Sequence, residues 1–301
     1  MTGPDAVATA PGSAVAYRMT LGSEPFASDA SRTSRRLLAA ITGGAWIGSA
    51  AAALMAASLP TAASARTGAE LHTFHCLHGC PIGAAGIDDV VVREIYTLAS
   101  NDLTKMADWV AYRVTPDSIG PSGVRRWSAD PWLDPEETLE PDDYDGAPGA
   151  LGIDRGHQAP LAAFSGTPFA KDTNTLSNIT PQGAGLNQAA WQRLEARENE
   201  LARSEGIAVY VTTGPLFERV MPPLPRADER HRVPSGYWKV IATTDGRASA
   251  FVMDTTAPRT LDHCDARVPI EEVELRARLG LFPRLATRAF KDLSPALGCP
   301  A

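Results

Sequence analysis

The chain has 301 residues, of which 44% are hydrophobic and 21% are charged, and its formal net charge at pH 7 is −7. This is an ordinary globular composition, and the length allows one large domain or two small ones. The negative net charge argues against a protein that binds nucleic acid tightly and passively, because such proteins are basic. It does not exclude an enzyme whose basic groups are confined to a cleft.

The N-terminal segment has the features of an export signal. Two adjacent arginines, Arg35 and Arg36, precede an apolar run over residues 37–59. Residues 63–65 (Ala-Ser-Ala) then match the small-residue site that signal peptidases accept. The paired arginines also admit a twin-arginine signal. An uncleaved membrane anchor is the alternative, since the apolar run is nearly long enough to span a bilayer.

Cleavage after Ala65 would divide the chain into two parts. We predict an N-terminal extension with a signal peptide over residues 1–65 and one domain over residues 66–301. The mature protein is then secreted or periplasmic and has no stable membrane association after cleavage.

The first part of the mature chain contains two predicted strands and an acidic loop. Residues 90–97 are rich in β-branched side chains and predict a strand, and the alternating residues 109–114 predict another that ends at Pro116. Residues 130–148 are rich in proline and acidic side chains. We interpret them as a solvated loop, with a calcium site as the alternative, because their spacing does not fit an EF-hand.

The second part contains the clearest helix. Apolar side chains recur near helical spacing from Asn187 to about Ser204, and Gly206 closes the segment. The remaining predicted elements are a strand over 207–212 that ends at residues 214–215, a hairpin of strands 237–242 and 248–253, and a short helix over 269–279. Strands before and after one long helix, without regular βα alternation, predict an α+β fold with a mainly antiparallel sheet.

The cysteines agree with an exported protein. There are four of them, and an even number in a secreted chain implies disulfides, for which three pairings exist. The alternative is a metal site, because His72, His75 and His78 lie close to Cys76 and Cys80.

Residues that suit hydrolysis of a phosphodiester occur within one short segment. His157 can act as a general base near neutral pH, and Gly156 before it permits a tight backbone turn. Asn187 lies at the start of the predicted helix and could bind a hard divalent cation, while Trp191 and Glu195 follow it at steps of four on the same face. Each residue also has a structural interpretation: Asn187 as a helix N-cap, Trp191 as core and His157 as a buried structural histidine.

Several motifs occur together in a fixed order. They are residues 108–113 (Asp-Trp-Val-Ala-Tyr-Arg), 154–160 (Asp-Arg-Gly-His-Gln-Ala-Pro), 176–182 (Leu-Ser-Asn-Ile-Thr-Pro-Gln), 186–195 (Leu-Asn-Gln-Ala-Ala-Trp-Gln-Arg-Leu-Glu), 213–216 (Thr-Gly-Pro-Leu) and 237–240 (Tyr-Trp-Lys-Val). In this set the chain resembles the DNA/RNA non-specific endonucleases, also called ββα-metal or His-Me finger nucleases, and is most like their secreted branch, the Serratia nucleases. The resemblance covers roughly residues 70 to 300 and implies a central antiparallel sheet flanked by helices.

The resemblance also implies a mechanism. His157 is the general base that deprotonates the attacking water, and Asn187 is the direct protein ligand to Mg²⁺, for which Mn²⁺ can substitute. Glu195 orients a water on that metal, which can protonate the leaving 3′ oxygen, so that the products carry 5′ phosphates. DNA and RNA are the expected substrates, and the resemblance permits a homodimer.

Further residues take supporting roles by the same resemblance. Arg125 stabilises the pentacovalent phosphate, and Arg155 and Asn178 support the site and the phosphate. Asn178 could instead be only a turn residue. The cysteine pairs Cys76–Cys80 and Cys264–Cys299 also fit the family.

One position departs from the family pattern. One turn after Glu195 the family carries an arginine that contacts phosphate, and this chain has Asn199. Either Arg203 on the same helix face substitutes for it or the affinity for phosphate is lower. Two other functions remain as alternatives: the same fold with a narrowed substrate, as in a toxin or a single-strand nuclease, and a non-catalytic module that binds nucleic acid.

Overall fold

The computed structural model describes residues 18–20, 71–121 and 123–300. The predicted signal peptide, its cleavage site and the alternative membrane anchor lie outside the described residues. Within the described ranges, no helix is long and apolar enough to cross a lipid bilayer. The short strand Arg18–Thr20 belongs to the predicted extension and pairs with the edge of the sheet, while the domain boundary at residues 65–66 stays a prediction.

The described residues form eleven strands and five α-helical segments. The strands are β1 (Arg18–Thr20), β2 (Asp88–Val92), β3 (Tyr96–Asn101), β4 (Met106–Val114), β5 (Ile153–His157), β6 (Ile179–Gly183), β7 (Val209–Leu216), β8 (Gly236–Thr243), β9 (Arg247–Asp254), β10 (Arg267–Val268) and β11 (Lys291–Asp292). The helices are α1 (Ala147–Leu151), α2 (Leu161–Phe164), α3 (Ala184–Leu186), α4 (Gln192–Glu205) and α5 (Ile270–Ala277). A π-helical turn over Asn187–Trp191 joins α3 to α4.

Nine strands form one sheet in the order β1-β2-β3-β4-β7-β8-β9-β10, with β11 added beside β9. Every pair in it is antiparallel except β9 with β11. The remaining two strands, β5 and β6, form a separate antiparallel ribbon. The predicted α+β class with a mainly antiparallel sheet is confirmed.

The sheet is covered on both faces. Alternate residues of β4 and β8 point to opposite sides, so that Tyr112 and Ile241 join a core with Leu194 of α4, whereas Trp238 packs on the other side with Val273 of α5. Double coverage explains why all eight residues of β8 are buried, which is unusual for an antiparallel strand.

Two predicted strand boundaries are wrong. The segment 90–97 is interrupted, because the Arg93 amide donates to the Tyr96 carbonyl in a turn between β2 and β3. Strand β7 does not end at residues 214–215 but continues to Leu216. Its neighbour β4 pairs with it only as far as Thr213, so that Pro215, which has no amide proton, lies where that side of the strand is unpaired. The predicted hairpin of β8 and β9 is confirmed.

The acidic loop over 130–148 is not simply solvated. The Asp130 side chain is fully buried and forms an ion pair with Arg93 at 2.6 Å. It also accepts hydrogen bonds from the Trp132 amide and the Ser177 hydroxyl. Asp143 is buried as well and accepts from the Glu140 amide. These acids fold the loop into short helical turns because they satisfy backbone amides locally.

The four cysteines form disulfides between Cys76 and Cys80 and between Cys264 and Cys299. The alternative of a cysteine-histidine metal site is therefore wrong, since disulfide sulfurs are not thiolate ligands. His75 is instead a buried structural residue, whose ring contacts the Thr97 hydroxyl at 2.9 Å and the Glu94 carbonyl at 3.2 Å.

Candidate active site

The site is built on the ribbon β5–β6 and the helix that follows β6 directly. The motif 154–157 lies on β5, and His157 pairs in register with Ile179 of β6. The sequence predicts a tight turn at Gly156, but Gly156 lies within the strand. A Cβ atom there would lie 2.5 Å from the Gln182 side-chain oxygen of β6, so that glycine is required by close packing across the ribbon.

His157 is 9% exposed and lines an open cleft of about 510 Å³. Burial lowers its pKa to about 4; a hydrogen bond with Asn174 opposes this and the charge of Arg125 adds to it. The ring is therefore neutral at pH 7. Its Nε2 lies 3.1 Å from the Asn174 side-chain oxygen, which can only accept, so that Nε2 carries the proton and Nδ1 keeps the lone pair of a base.

Asn187 lies inside the continuous helix from α3 to α4, with helical backbone angles of −54° and −46°. The N-cap interpretation is therefore wrong. Its side-chain amide nitrogen donates to the Asp154 carboxylate at 2.9 Å, and Gln188 donates to the same oxygen at 2.7 Å. Because the nitrogen is held by Asp154, the side-chain oxygen of Asn187 is the atom that can bind a cation.

Glu195 lines the same cleft two helical turns further on. Burial raises its pKa to about 7, while Lys239 lowers it and Glu198 raises it. Its Oε1 atom is buried and has no hydrogen-bond partner among the described residues; the Lys239 ammonium lies 3.7 Å away. Because the nearest cationic group lies beyond hydrogen-bond distance of this buried oxygen, the oxygen could also hold a metal ion or its water. Together, amide and carboxylate oxygens are the donors that Mg²⁺ prefers.

Two arginines complete the lining. Arg125 is exposed at the rim. Arg155 is held more firmly, because its guanidinium donates to the Pro141 carbonyl at 2.6 Å and lies 5.2 Å from the centre of the Tyr144 ring. The cleft thus places two cations beside a neutral histidine and an oxygen-rich corner, which is the arrangement that a phosphodiester requires.

Comparison with known proteins agrees with this geometry. The family model for DNA/RNA non-specific endonuclease matches residues 79–287. The chain belongs to this family. It is 45% identical over 216 residues to a nuclease of Serratia marcescens, covering 70% of this chain and 81% of that protein. It is 30% identical over 230 residues to human mitochondrial endonuclease G, covering 69% of this chain and 74% of that protein.

The fold is shared with a solved structure of the same group. The crystal structure of an EndoG/EndoGI complex superimposes with a TM-score of 0.58 at 25% identity, over 67% of this chain and 89% of that one. The chain is therefore an endonuclease of DNA and RNA from a metal-dependent family, as the sequence predicts.

Asn178, which is predicted to support the site and the phosphate, lies away from the cleft surface. Asn178 is fully buried. Its side chain accepts from the Ala159 amide at 2.9 Å and donates to the Ala159 and Thr173 carbonyls, both at 2.9 Å. These bonds satisfy its amide, so that it joins the chain after His157 to the chain around Asn174 and does not contact phosphate.

Sequence reasoning missed three residues that contact and position side chains of the cleft or of the helix beside it. Asn174 fixes the ring of His157, and Asp154 fixes the amide of Asn187. Lys239 is fully buried and bonds to Glu198 at 2.9 Å. Asp154 and Lys239 belong to the motifs 154–160 and 237–240, and Asn174 lies four residues before Asn178. Polar residues within or beside the motifs were therefore the available signal.

Asn199 occupies the position where the family pattern has an arginine, so that this end of the cleft lacks that positive charge. Asn199 lines the cleft, and its side-chain oxygen is buried without a hydrogen-bond partner in the described structure. Arg203 lies outside the cleft lining, in a neighbouring groove that it shares with Asn199. Its guanidinium contacts the Ile119 carbonyl at 3.5 Å, so that it does not take the place of the family arginine in this conformation.

Proposed function

We propose that the protein is an exported, Mg²⁺-dependent endonuclease that hydrolyses DNA and RNA without regard to the sugar and leaves 5′ phosphates. One observation carries the proposal. A neutral histidine with a free Nδ1, an amide oxygen held in place by a carboxylate, and two arginines line a single cleft. Mn²⁺ is expected to replace Mg²⁺, because the donor atoms are hard oxygens.

In this mechanism Nδ1 of His157 takes the proton from a water that attacks the phosphorus atom. Arg125 and Arg155 bind the phosphate oxygens, where negative charge increases in the transition state. Asn187 would hold Mg²⁺ directly and Glu195 would hold it through a water, and the bound ion would neutralise phosphate charge and assist departure of the 3′ oxygen. The nucleophile comes from solvent, so that RNA is cleaved without its 2′ hydroxyl.

Export by the N-terminal signal belongs to the same proposal. The two disulfides support export, because disulfides form and persist in an oxidising compartment. The signal-peptide features of residues 35–65 would direct the chain into an export pathway. Sedimentation velocity of the purified protein would decide whether it forms the homodimer that the resemblance permits.

The test is digestion of supercoiled plasmid and of total RNA by the purified protein, with Mg²⁺, with EDTA, and as the variant His157→Ala. We expect both substrates to be lost only with Mg²⁺ and the loss to collapse in the variant. Cleavage of only one of the two substrates would indicate an enzyme with a narrower substrate range, such as a toxin or a single-strand nuclease. Binding without cleavage by correctly oxidised protein would indicate a non-catalytic module and contradict the proposal.

A further inference from the structure

Trp127 is an aromatic side chain of the catalytic cleft that the mechanism above does not use. It lines the cleft together with His157 and Arg155, and it is the one indole among the described lining residues. It is only partly buried. Three other tryptophans are buried in the cores of the domain, namely Trp109, Trp191 and Trp238. An indole that is left partly open in a charged cleft is available for contact with a ligand there.

The backbone beside Trp127 is fixed relative to His157. The Ser128 amide donates to the Asn174 carbonyl at 3.3 Å, and the Ser128 carbonyl accepts from the Leu176 amide at 2.9 Å. The side chain of Asn174 is the one that holds the His157 ring. The indole and the imidazole are therefore positioned by the same segment of chain.

The indole lies beside the groups to which the proposed mechanism assigns the reacting phosphate. The centres of the Trp127 and His157 rings are 5.3 Å apart, and their planes are inclined by 41°. The Arg155 guanidinium carbon lies 5.9 Å from the indole centre. Part of the indole also packs on the core that includes Tyr144 and Ile179, which restricts its rotation. Because every phosphodiester carries a nucleoside on either side, a base next to the reacting phosphate comes close to this ring.

Stacking on an indole suits a substrate whose sequence does not matter. Every nucleobase has a flat π face, so that an aromatic side chain binds any base without reading its hydrogen-bonding edge. The contact also does not depend on charge. This is an advantage in a chain with a net charge of −7 and with Asn199 in the cleft at the family's arginine position, because both features weaken the electrostatic attraction for phosphate.

We propose that Trp127 is a stacking platform for the base of one of the two nucleotides that flank the scissile phosphate. The inference rests on the proposed cleavage mechanism at this cleft. The alternative is that the indole only packs against His157 and Arg155. A packing role would affect cleavage of every phosphodiester equally, whereas a stacking role affects only bonds that have a base at the contacted position. The experiment therefore compares bonds with and without that base.

The test uses a single-stranded DNA oligonucleotide with one abasic residue near its middle, end-labelled and cleaved to low extent in Mg²⁺. Gel electrophoresis at single-nucleotide resolution gives the rate at each bond, and remote bonds in the same strand are the internal reference. In wild type we expect one of the two bonds beside the abasic residue to be cleaved about tenfold more slowly than remote bonds, which is the size of a lost stacking contact.

The variant Trp127→Leu keeps an apolar side chain on the core but has no π face. We expect it to cleave all bonds of this strand at about equal rates, and we expect Trp127→Phe to restore much of the difference. Trp132→Leu is the matched control, because Trp132 is also partly buried but lies outside the cleft lining. It should show the wild-type pattern.

Binding in EDTA, measured by fluorescence anisotropy, gives a second readout that does not need cleavage. Trp127→Leu should bind an ordinary strand about tenfold more weakly than wild type and a strand made of abasic residues equally well. Equal weakening on both strands would overturn the proposal, as would an even cleavage pattern in wild type or an unchanged difference in Trp127→Leu. Absence of cleavage by the wild-type protein would contradict the proposed function itself, while the binding measurement would still test the stacking.

Discussion

At the residue scale, four asparagines near the cleft have different tasks that residue type alone does not distinguish. Asn174 orients His157, Asn178 joins two backbone segments, Asn187 offers an oxygen to a cation, and Asn199 leaves an oxygen unpartnered. The motifs identified Asn178 and Asn187, but not the burial that removes Asn178 from the phosphate. Burial depends on what packs around a side chain, and a motif does not contain that information.

The neutral end of the cleft predicts the effect of Asn199→Arg. The added guanidinium would reach the cleft that Asn199 lines and pair with substrate phosphate. We expect KM on DNA to fall about fivefold, which corresponds to roughly 1 kcal/mol for a solvent-accessible ion pair. Steady-state kinetics on a defined duplex measure it. Ser204→Arg adds the same charge further along α4 and serves as the control; an equal fall there, or an unchanged KM in Asn199→Arg, would contradict the prediction.

Buried His75 predicts a loss of stability in acid. Burial lowers its pKa from 6.5 to about 4, so that between these values the unfolded chain binds the proton and the folded chain does not. Stability is therefore complete above pH 6.5 and falls as the pH drops toward 4. The contribution is about 3 kcal/mol at most. Urea unfolding between pH 7.5 and 4.5 should show a shallower pH dependence in His75→Gln than in wild type, and an equal dependence in the two proteins would contradict the prediction.

At the scale of elements, helix α4 is joined to the sheet through a buried charge network. Lys239 of β8 bonds to Glu198 at 2.9 Å and to the Tyr112 hydroxyl at 3.2 Å. Its ammonium also lies 4.4 Å from the Trp191 ring centre. The helical periodicity predicted α4 and the core position of Trp191. It did not predict the network, because Lys239 and Glu198 are 41 residues apart and both are charged residues, which are rarely buried.

Substitution of Lys239 alone should therefore lower the free energy of unfolding more than substitution of both Lys239 and Glu198. In Lys239→Met the fully buried Glu198 loses its cation and keeps only the hydrogen bond from the Tyr112 hydroxyl at 2.8 Å, so that we expect a loss of about 3–5 kcal/mol in the free energy of unfolding. The double variant Lys239→Met/Glu198→Leu should recover most of that loss. Urea unfolding of the four members of the cycle measures both values. Equal losses in the single and double variants would show that the charge network does not set the stability of this contact.

At the scale of the whole molecule, the sheet carries a packed layer on each face, and one disulfide belongs to each layer. Cys264 and Cys299 lie with the core that includes α4, and Cys76 and Cys80 lie with the core that includes α5. The two bonds differ in the length of chain they close, with sequence separations of 35 and 4 residues.

This difference predicts unequal effects of removing them. By the chain-entropy model, Cys264→Ala/Cys299→Ala should lose about 4 kcal/mol and Cys76→Ala/Cys80→Ala about 2 kcal/mol, because the longer loop restricts the unfolded chain more. Chemical unfolding of both double variants, with cleavage activity as a check on folding, measures the difference. An equal or reversed order would show that native packing around the bonds outweighs loop length.

The sequence by itself determined the fold class, the family and most of the predicted side chains that the structure brings together in one cleft. These follow from short-range information: hydrophobic periodicity, turn residues and motifs such as 154–157 within a few residues of one another. Tertiary structure alone decided which atoms are free to act. Asn174 holds His157 from 17 residues away and Asp154 holds Asn187 from 33, and packing buries Asn178 and Asp88. Hydrogen-bond partners and desolvation depend on what the folded chain brings together, so that local pattern could not specify them.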